Sequence, residues 1–233
     1  HQIDFASGAL VFPGGKVDRG DADPGLRARC RGAEGLDDAT LALRIAAIRE
    51  AYEECGVLLA YASGAANLLP GTRLKALHGW REKLEKKTAF LRDMLPAEGL
   101  ELACDRLVPF AHWITPPTVP KRFDTHFFLV TAPEDQLAVH DGRESVDSVW
   151  ITPQQVLADA DAKKATVIFP TRMNVQKLGR ARTVAEALAA ARRERIVTVQ
   201  PEVGQTPAGR VLRIPIEAGY GVDEVLVEGM PRA

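Results

Sequence analysis

The sequence predicts an α/β (α+β) fold in which short strands and helices follow one another along a single chain. Three observations carry this expectation. Leu41, Ile45, Ile48 and Tyr52 are apolar at helical spacing. Arg122 to Thr131 (RFDTHFFLVT) alternates and is rich in aromatic and β-branched residues, the pattern of a core strand. Thr183 to Arg195 is Ala-rich and reads as a helix.

Taken in order, Ala9 to Phe12 is a short apolar run ending at Pro13-Gly14-Gly15, a buried strand entering a tight loop. Lys16 to about Asp38 turns to Gly, Asp, Arg and Pro, which predicts a long polar loop of the kind that is often functional. Asp37, Asp38 and Thr40 offer N-caps and Gly56 a terminator, so a helix is expected over about 39–55, with Val57 to Ala60 starting the next element. Arg73 to Leu95 carries Leu74, Leu77, Trp80, Leu84, Leu91 and Leu95 mostly on one side and predicts one packing helix. Strands are expected over Leu107 to Ile114 and Ser148 to Ile151, with Thr115-Pro116-Pro117 as a break. Thr152-Pro153 starts a helix to about Ala158. The tail holds two strand-like runs, Ile196 to Gln200 and Val211 to Ile216.

Bulk properties narrow the partners. The formal net charge is -1, which argues against nucleic acid, whose phosphate backbone demands a surplus of Lys and Arg. A local positive pocket for a single nucleotide remains compatible. Cys30, Cys55 and Cys104 form no CxxC pair and read as reduced thiols, with neither a zinc ribbon nor a disulfide framework. No apolar run approaches the ~20 residues of a membrane span.

The chemistry concentrates in Arg49-Glu50-Ala51-Tyr52-Glu53-Glu54-Cys55-Gly56-Val57. On a helix, Glu50, Glu53 and Glu54 share one face and repel one another by about 0.2–0.5 kcal/mol per pair. A hard cation relieves that repulsion, and magnesium prefers such oxygen ligands together with substrate phosphates. Acidic triplets are frequent on solvated surfaces. Two neighbours set this one apart: Arg49 can orient an acid by a charge-assisted bond, and Gly14-Gly15 allows close backbone approach to a metal or phosphate.

These residues together resemble the Nudix box. Gly15 matches its first glycine, Asp21 stands where the family usually has Glu, and Arg49 to Val57 match its Arg-Glu-apolar-x-Glu-Glu-x-Gly-apolar block. Between Asp21 and Arg49 lie 27 residues, Ala22 to Ile48, where compact boxes have about seven. Glu144, ahead of Trp150, resembles a further family glutamate and is a candidate fourth carboxylate. The interrupted box, Leu77-His78-Gly79-Trp80-Arg81, Trp113-Ile114-Thr115-Pro116, Arg122-Phe123-Asp124-Thr125 and Phe169-Pro170-Thr171 resemble the peroxisomal coenzyme A diphosphatase subgroup and its bacterial relatives.

The resemblance implies a Nudix-type α-β-α sandwich with a mixed central sheet. It would form a single domain over 1–233, with a box-loop insertion at about 22–40, a helical insertion at about 73–106 and a C-terminal extension at about 196–233. It implies Mg2+ or Mn2+ held by Glu50, Glu53 and Glu54 with the Gly15 carbonyl, and hydrolysis of a diphosphate linkage in a nucleotide-like substrate. Coenzyme A or acyl-coenzyme A is the first candidate substrate, ADP-ribose or another nucleoside diphosphate derivative the alternative. A nucleotide-binding sensor is the rival from another class, though such modules usually lose box acids. Glu53, Glu54 and Glu144 are alternative general bases, and Glu50 is either a ligand or the orienting partner of Arg49.

Lys16, Arg122 and Asp124 are candidate substrate contacts, each with a structural alternative. Trp113 and Phe123 could stack on a base or pack the core. His78, His112, His126 and His140 show no ligand spacing. The Arg73 to Leu95 stretch and the tail are candidate homodimer surfaces. The chain ends Met230-Pro231-Arg232-Ala233, not in a peroxisomal address, so a cytoplasmic location is expected.

Overall fold

The computed structural model describes residues 9–133, 135–136 and 148–226. They fall into two compact units: residues 12–107 with the described part of 130–150, and residues 9–11, 108–129 and 151–226.

The first unit is built on α1 (Asp38–Cys55). Asp37 caps its N-terminus by accepting from the Thr40 amide at 2.7 Å. Gly56 ends it in the left-handed region at φ 69°. Leu41, Ile45, Ile48 and Tyr52 are all buried, as the periodicity requires. After α1 come β1 (Ala60–Ala62), α2 (Gly71–Glu85), α3 (Leu91–Glu98) and β2 (Leu100–Leu102). β1 and β2 pair antiparallel, Tyr61 opposite Glu101. The Tyr52 hydroxyl donates to the Leu77 carbonyl at 2.8 Å and ties α1 to α2.

Two expectations change here. The stretch Arg73 to Leu95 is not one helix: α2 ends at Glu85, Lys87 takes φ 54°, and α3 restarts at Leu91. The polar loop after Gly15 is also more ordered than its composition predicts. It contains two 3-10 turns, Arg19–Ala22 and Pro24–Arg29, which bury Asp21 and Leu26. Arg27 fixes its far end by donating to the carbonyls of Ala33 and Leu36 at 2.8 and 3.0 Å.

The second unit holds β3 (Val108–Ile114), β4 (Asp124–Leu129), α4 (Pro153–Asp161), α5 (Phe169–Leu178) and α6 (Val184–Arg193). β5 (Thr198–Val199), β6 (Glu202–Thr206), β7 (Gly209–Arg213) and β8 (Glu224–Leu226) complete it. The mixed sheet has strand order β4-β3-β5, with β3 antiparallel to β4 and parallel to β5. β6-β7-β8 form a separate antiparallel sheet. The mixed α/β class is as the sequence predicts, with the strands shared among three small sheets. The core gathers Phe110, Trp113, Met173, Val199, Ile214 and Tyr220. Trp113 is core and not a stacking platform: its indole donates to the Tyr220 hydroxyl at 2.8 Å, which in turn donates to Asn174 at 2.7 Å.

The strand expected over Ala9 to Phe12 is reduced to one bridge, Ala9 with Thr166, and Val11 and Phe12 are exposed. Residues 148–151 form no strand. α5, which no apolar stripe announces, was missed. Among the described residues no helix is long and apolar enough to cross a membrane.

Candidate active site

The last turns of α1 carry Arg49, Glu50, Glu53 and Glu54, and the chain before the first 3-10 turn comes up against them. The Gly14 amide donates to Glu54 Oε2 at 2.9 Å. A Cβ placed on Gly15 would lie 2.5 Å from the Glu50 carboxyl carbon, so only glycine lets the backbone pass this close. The corner and the acids are therefore one assembly.

Arg49 organises it. All five guanidinium donors are engaged. Nε and Nη2 form a fork on Asp21 at 2.8 and 2.9 Å, and Nη1 reaches Glu50 at 2.8 Å and Glu53 at 3.1 Å. Nη2 also donates to the Lys16 carbonyl at 2.8 Å. Asp21 is 2% and Arg49 7% exposed, so this is a buried ion pair whose charges depend on each other. The Asp18 amide gives Asp21 a third hydrogen bond at 2.7 Å.

Burial works against a charged Arg49, but its bonds to Asp21 and the charges of Asp21, Glu50 and Glu53 outweigh it and hold its pKa above the ordinary arginine value. Burial pushes the Glu53 carboxyl up to about 7; Arg49 pulls against this, while Glu50 and Asp21 add to it. Three carboxylates, Asp21, Glu50 and Glu53, thus surround a single guanidinium, and a fourth, Glu54, is held by the Gly14 amide beside them. That donor set is all oxygen and carries surplus negative charge, which fits Mg2+ or Mn2+.

Sequence reasoning missed two contributors. Arg81, in α2, donates to the carbonyls of Glu53 at 2.9 and 3.0 Å and of Glu54 at 3.1 Å. It satisfies orphan carbonyls at the end of α1 and places positive charge at the helix C-terminus. Arg81 lay in a segment read as a packing helix with a family resemblance, and neither reading assigned it a role at the site. Lys87, at the break between α2 and α3, bonds Asp18 at 2.9 Å and lines a small cleft with Asp21, Arg49, Glu53, Phe90 and Leu91. Nothing in the periodic pattern marks that break.

Lys16 follows the corner with an exposed side chain, its carbonyl held by Arg49. Arg122 and Asp124 lie in the second unit. Arg122 donates to the Thr115 carbonyl at 3.1 Å and to Gln200 at 3.3 Å, and Asp124 meets His112 at 2.6 Å. Glu144 and His140 lie outside the described residues. None of the three cysteines forms a disulfide.

Comparison with solved structures gives the class. A crystal structure of a NUDIX hydrolase from Alicyclobacillus acidocaldarius superposes with a TM-score of 0.63 and 27% identity, covering 80% of this chain and 83% of that one. The sequence narrows it: the family profile of the NUDT19 Nudix domain matches residues 33–178, and the chain belongs to that family. Gly15 and Asp21 precede the matched span. A putative nudix hydrolase 7 from Caenorhabditis elegans is 27% identical over 182 residues, 75% of this chain and 51% of its own length. Acyl-coenzyme A diphosphatase NUDT19 from Xenopus laevis is 24% identical over 213 residues, 75% of this chain and 56% of its own. The chain thus spans about half the length of these two relatives.

Proposed function

We propose that the chain is a metal-dependent hydrolase that cleaves the diphosphate linkage of a nucleoside diphosphate derivative, coenzyme A or acyl-coenzyme A being the first substrate to test. The observation that carries this is the packing of Glu50 and Glu54 against the Gly14-Gly15 corner, with Glu53 tied to Glu50 through Arg49 on the same turn of α1. The similarity to an acyl-coenzyme A diphosphatase supports the choice of substrate.

Glu50, Glu53 and Glu54 with the Gly15 carbonyl would hold Mg2+ or Mn2+. When bound, the cation neutralises charge on the diphosphate and makes a water more acidic. The chain's own groups do the rest. Arg49 fixes Glu50 and Glu53 in position through its shared Nη1. Glu53, Glu54 or Glu144 accepts the proton of the attacking water. Lys16, exposed beside the corner, offers a point charge to a phosphate.

The test is the Glu53→Gln/Glu54→Gln double variant, assayed against coenzyme A, acyl-coenzyme A and ADP-ribose. Magnesium-dependent turnover should vanish while the circular dichroism spectrum is unchanged. Retained turnover in the folded variant overturns the assignment. A preference for the coenzyme A compounds above about tenfold, roughly 1.4 kcal/mol, supports that substrate; a preference for ADP-ribose replaces it.

A further inference from the structure

We propose that His112, Asp124 and His126 form a second metal site, for a transition-metal dication of the zinc class, on the β3–β4 hairpin. It is separate from the glutamate face in chemistry and does not rest on the function proposed above.

The sequence hides the site because its three residues have no ligand spacing along the chain. Antiparallel pairing creates one. His112 and His126 are directly opposed in the β3–β4 register. Asp124 lies two residues before His126 on β4 and so projects from the same face. The imidazole rings stack with centroids 4.0 Å apart and planes 15° from parallel. Both turn Nε2 toward one carboxylate oxygen, Asp124 Oδ1, at 2.6 Å for His112 and 3.6 Å for His126. One ligand atom from each residue lies within 4.8 Å of the other two.

A hydrogen-bonded His–Asp pair accounts for only half of this. It uses His112 and leaves His126 Nε2 facing the same oxygen at a distance too long for a good bond. Protonating both rings would set two cations in stacking contact. A dication at the meeting point uses both lone pairs and the carboxylate at once.

The surroundings fit as well. β5 runs parallel to β3 with Thr198 opposite His112, and the Thr198 hydroxyl meets His112 Nδ1 at 2.8 Å. In the tautomer that carries its proton on Nδ1, His112 donates to the Thr198 hydroxyl and leaves the Nε2 lone pair for the ion, as metal-bound histidines usually do through their second nitrogen. Two nitrogens and one oxygen suit zinc or its neighbours, whereas magnesium prefers oxygen alone. The Asp124 side chain is 63% exposed, so a fourth position opens to solvent, where water or a small ligand can complete a tetrahedron.

The experiment is calorimetric titration of Zn2+ into the full chain in excess Mg2+, in wild type and in Glu53→Gln/Glu54→Gln, so that any zinc taken by the glutamates is identified. One zinc should bind in both. Its affinity should fall at least about tenfold in Asp124→Asn and in His126→Ala, and about tenfold in Thr198→Val. Because His126→Ala removes packing, a second measurement uses the wild type alone: histidine ring nitrogen shifts by NMR. Zinc should move His112 and His126 and leave the exposed His78 in place. Absence of zinc binding, unchanged affinity in Asp124→Asn, or zinc-dependent shifts confined to His78 would overturn the proposal.

Discussion

At the scale of single residues, Arg49 carries the most. It is a box residue, yet its strongest partner, Asp21, lies 28 positions upstream and is nearly inaccessible to water. Removing one member of such a pair strands the other, at a cost of about 3–5 kcal/mol. Arg49→Ala should therefore destabilise by that much. Arg49→Lys should also lose stability, because an ammonium cannot occupy both arms of the fork and still reach Glu50 and Glu53. Urea denaturation checks both. With Asp21→Asn as the second substitution, a double-mutant cycle should show a coupling above about 1 kcal/mol; additive losses would mean that the fork contributes little. Much of this was legible beforehand. Helical spacing put three acids on one face, and Arg49 beside them implied an oriented carboxylate. The division of its five donors among four residues was not, since that depends on how the 27 intervening residues fold back. The same limit hid His112 and His126, which become neighbours only through strand register.

At the scale of elements, α1 and its glycine corner are coupled by contact distance. In Gly15→Ala the new methyl would meet the Glu50 carboxyl carbon at 2.5 Å, so either the loop or Glu50 must shift. The expected cost is about 1–3 kcal/mol, as for other forced overpacking, with a loss of turnover larger than the stability change explains. Gly56→Ala is the control. At φ 69° it should cost about 1–2 kcal/mol through left-handed strain while leaving the Gly14-Gly15 corner alone. Thermal melts and initial rates of the two variants separate the effects: equal loss of turnover per kcal/mol would show that the corner acts only through stability. Elements were legible where a cap and a period agreed, as in α1 with Asp37 and Gly56. They were misread where a distant partner decides. The break between α2 and α3 falls at Lys87, whose ammonium is held by Asp18 from the box loop, and no local pattern predicts it. α5 begins at Phe169 after an N-cap residue, Ile168, that offers no side-chain cap, and has no apolar stripe, so only Pro170 near its start hinted at it.

At the scale of the whole molecule, the fold class was readable from mixed periodicities, while the distribution of strands over three sheets was not: the apolar run at Val211 marks β7, but its partners β6 and β8 are short and mostly exposed and carry no such mark. The box acids and their arginine all belong to the first compact unit, and this has a consequence for stability. Three carboxylates crowd one guanidinium there, with Glu54 alongside on the Gly14 amide, and burial already keeps Glu53 reluctant to ionise. A cation that binds the folded arrangement and not the unfolded chain stabilises by mass action, by about 2.7 kcal/mol when present at 100 times its Kd. Magnesium should therefore slow amide hydrogen exchange in α1, most at its C-terminal turn, where Arg49 to Glu54 and the Arg81-capped carbonyls lie. Chelation should reverse the effect. In Glu53→Gln/Glu54→Gln the magnesium-dependent protection should disappear although the helix itself persists, because its caps at Asp37 and Gly56 are untouched. Equal protection by magnesium in that variant would mean that the ion acts on the protein elsewhere, and the acidic turn would then be a solvated face held in place by Arg49.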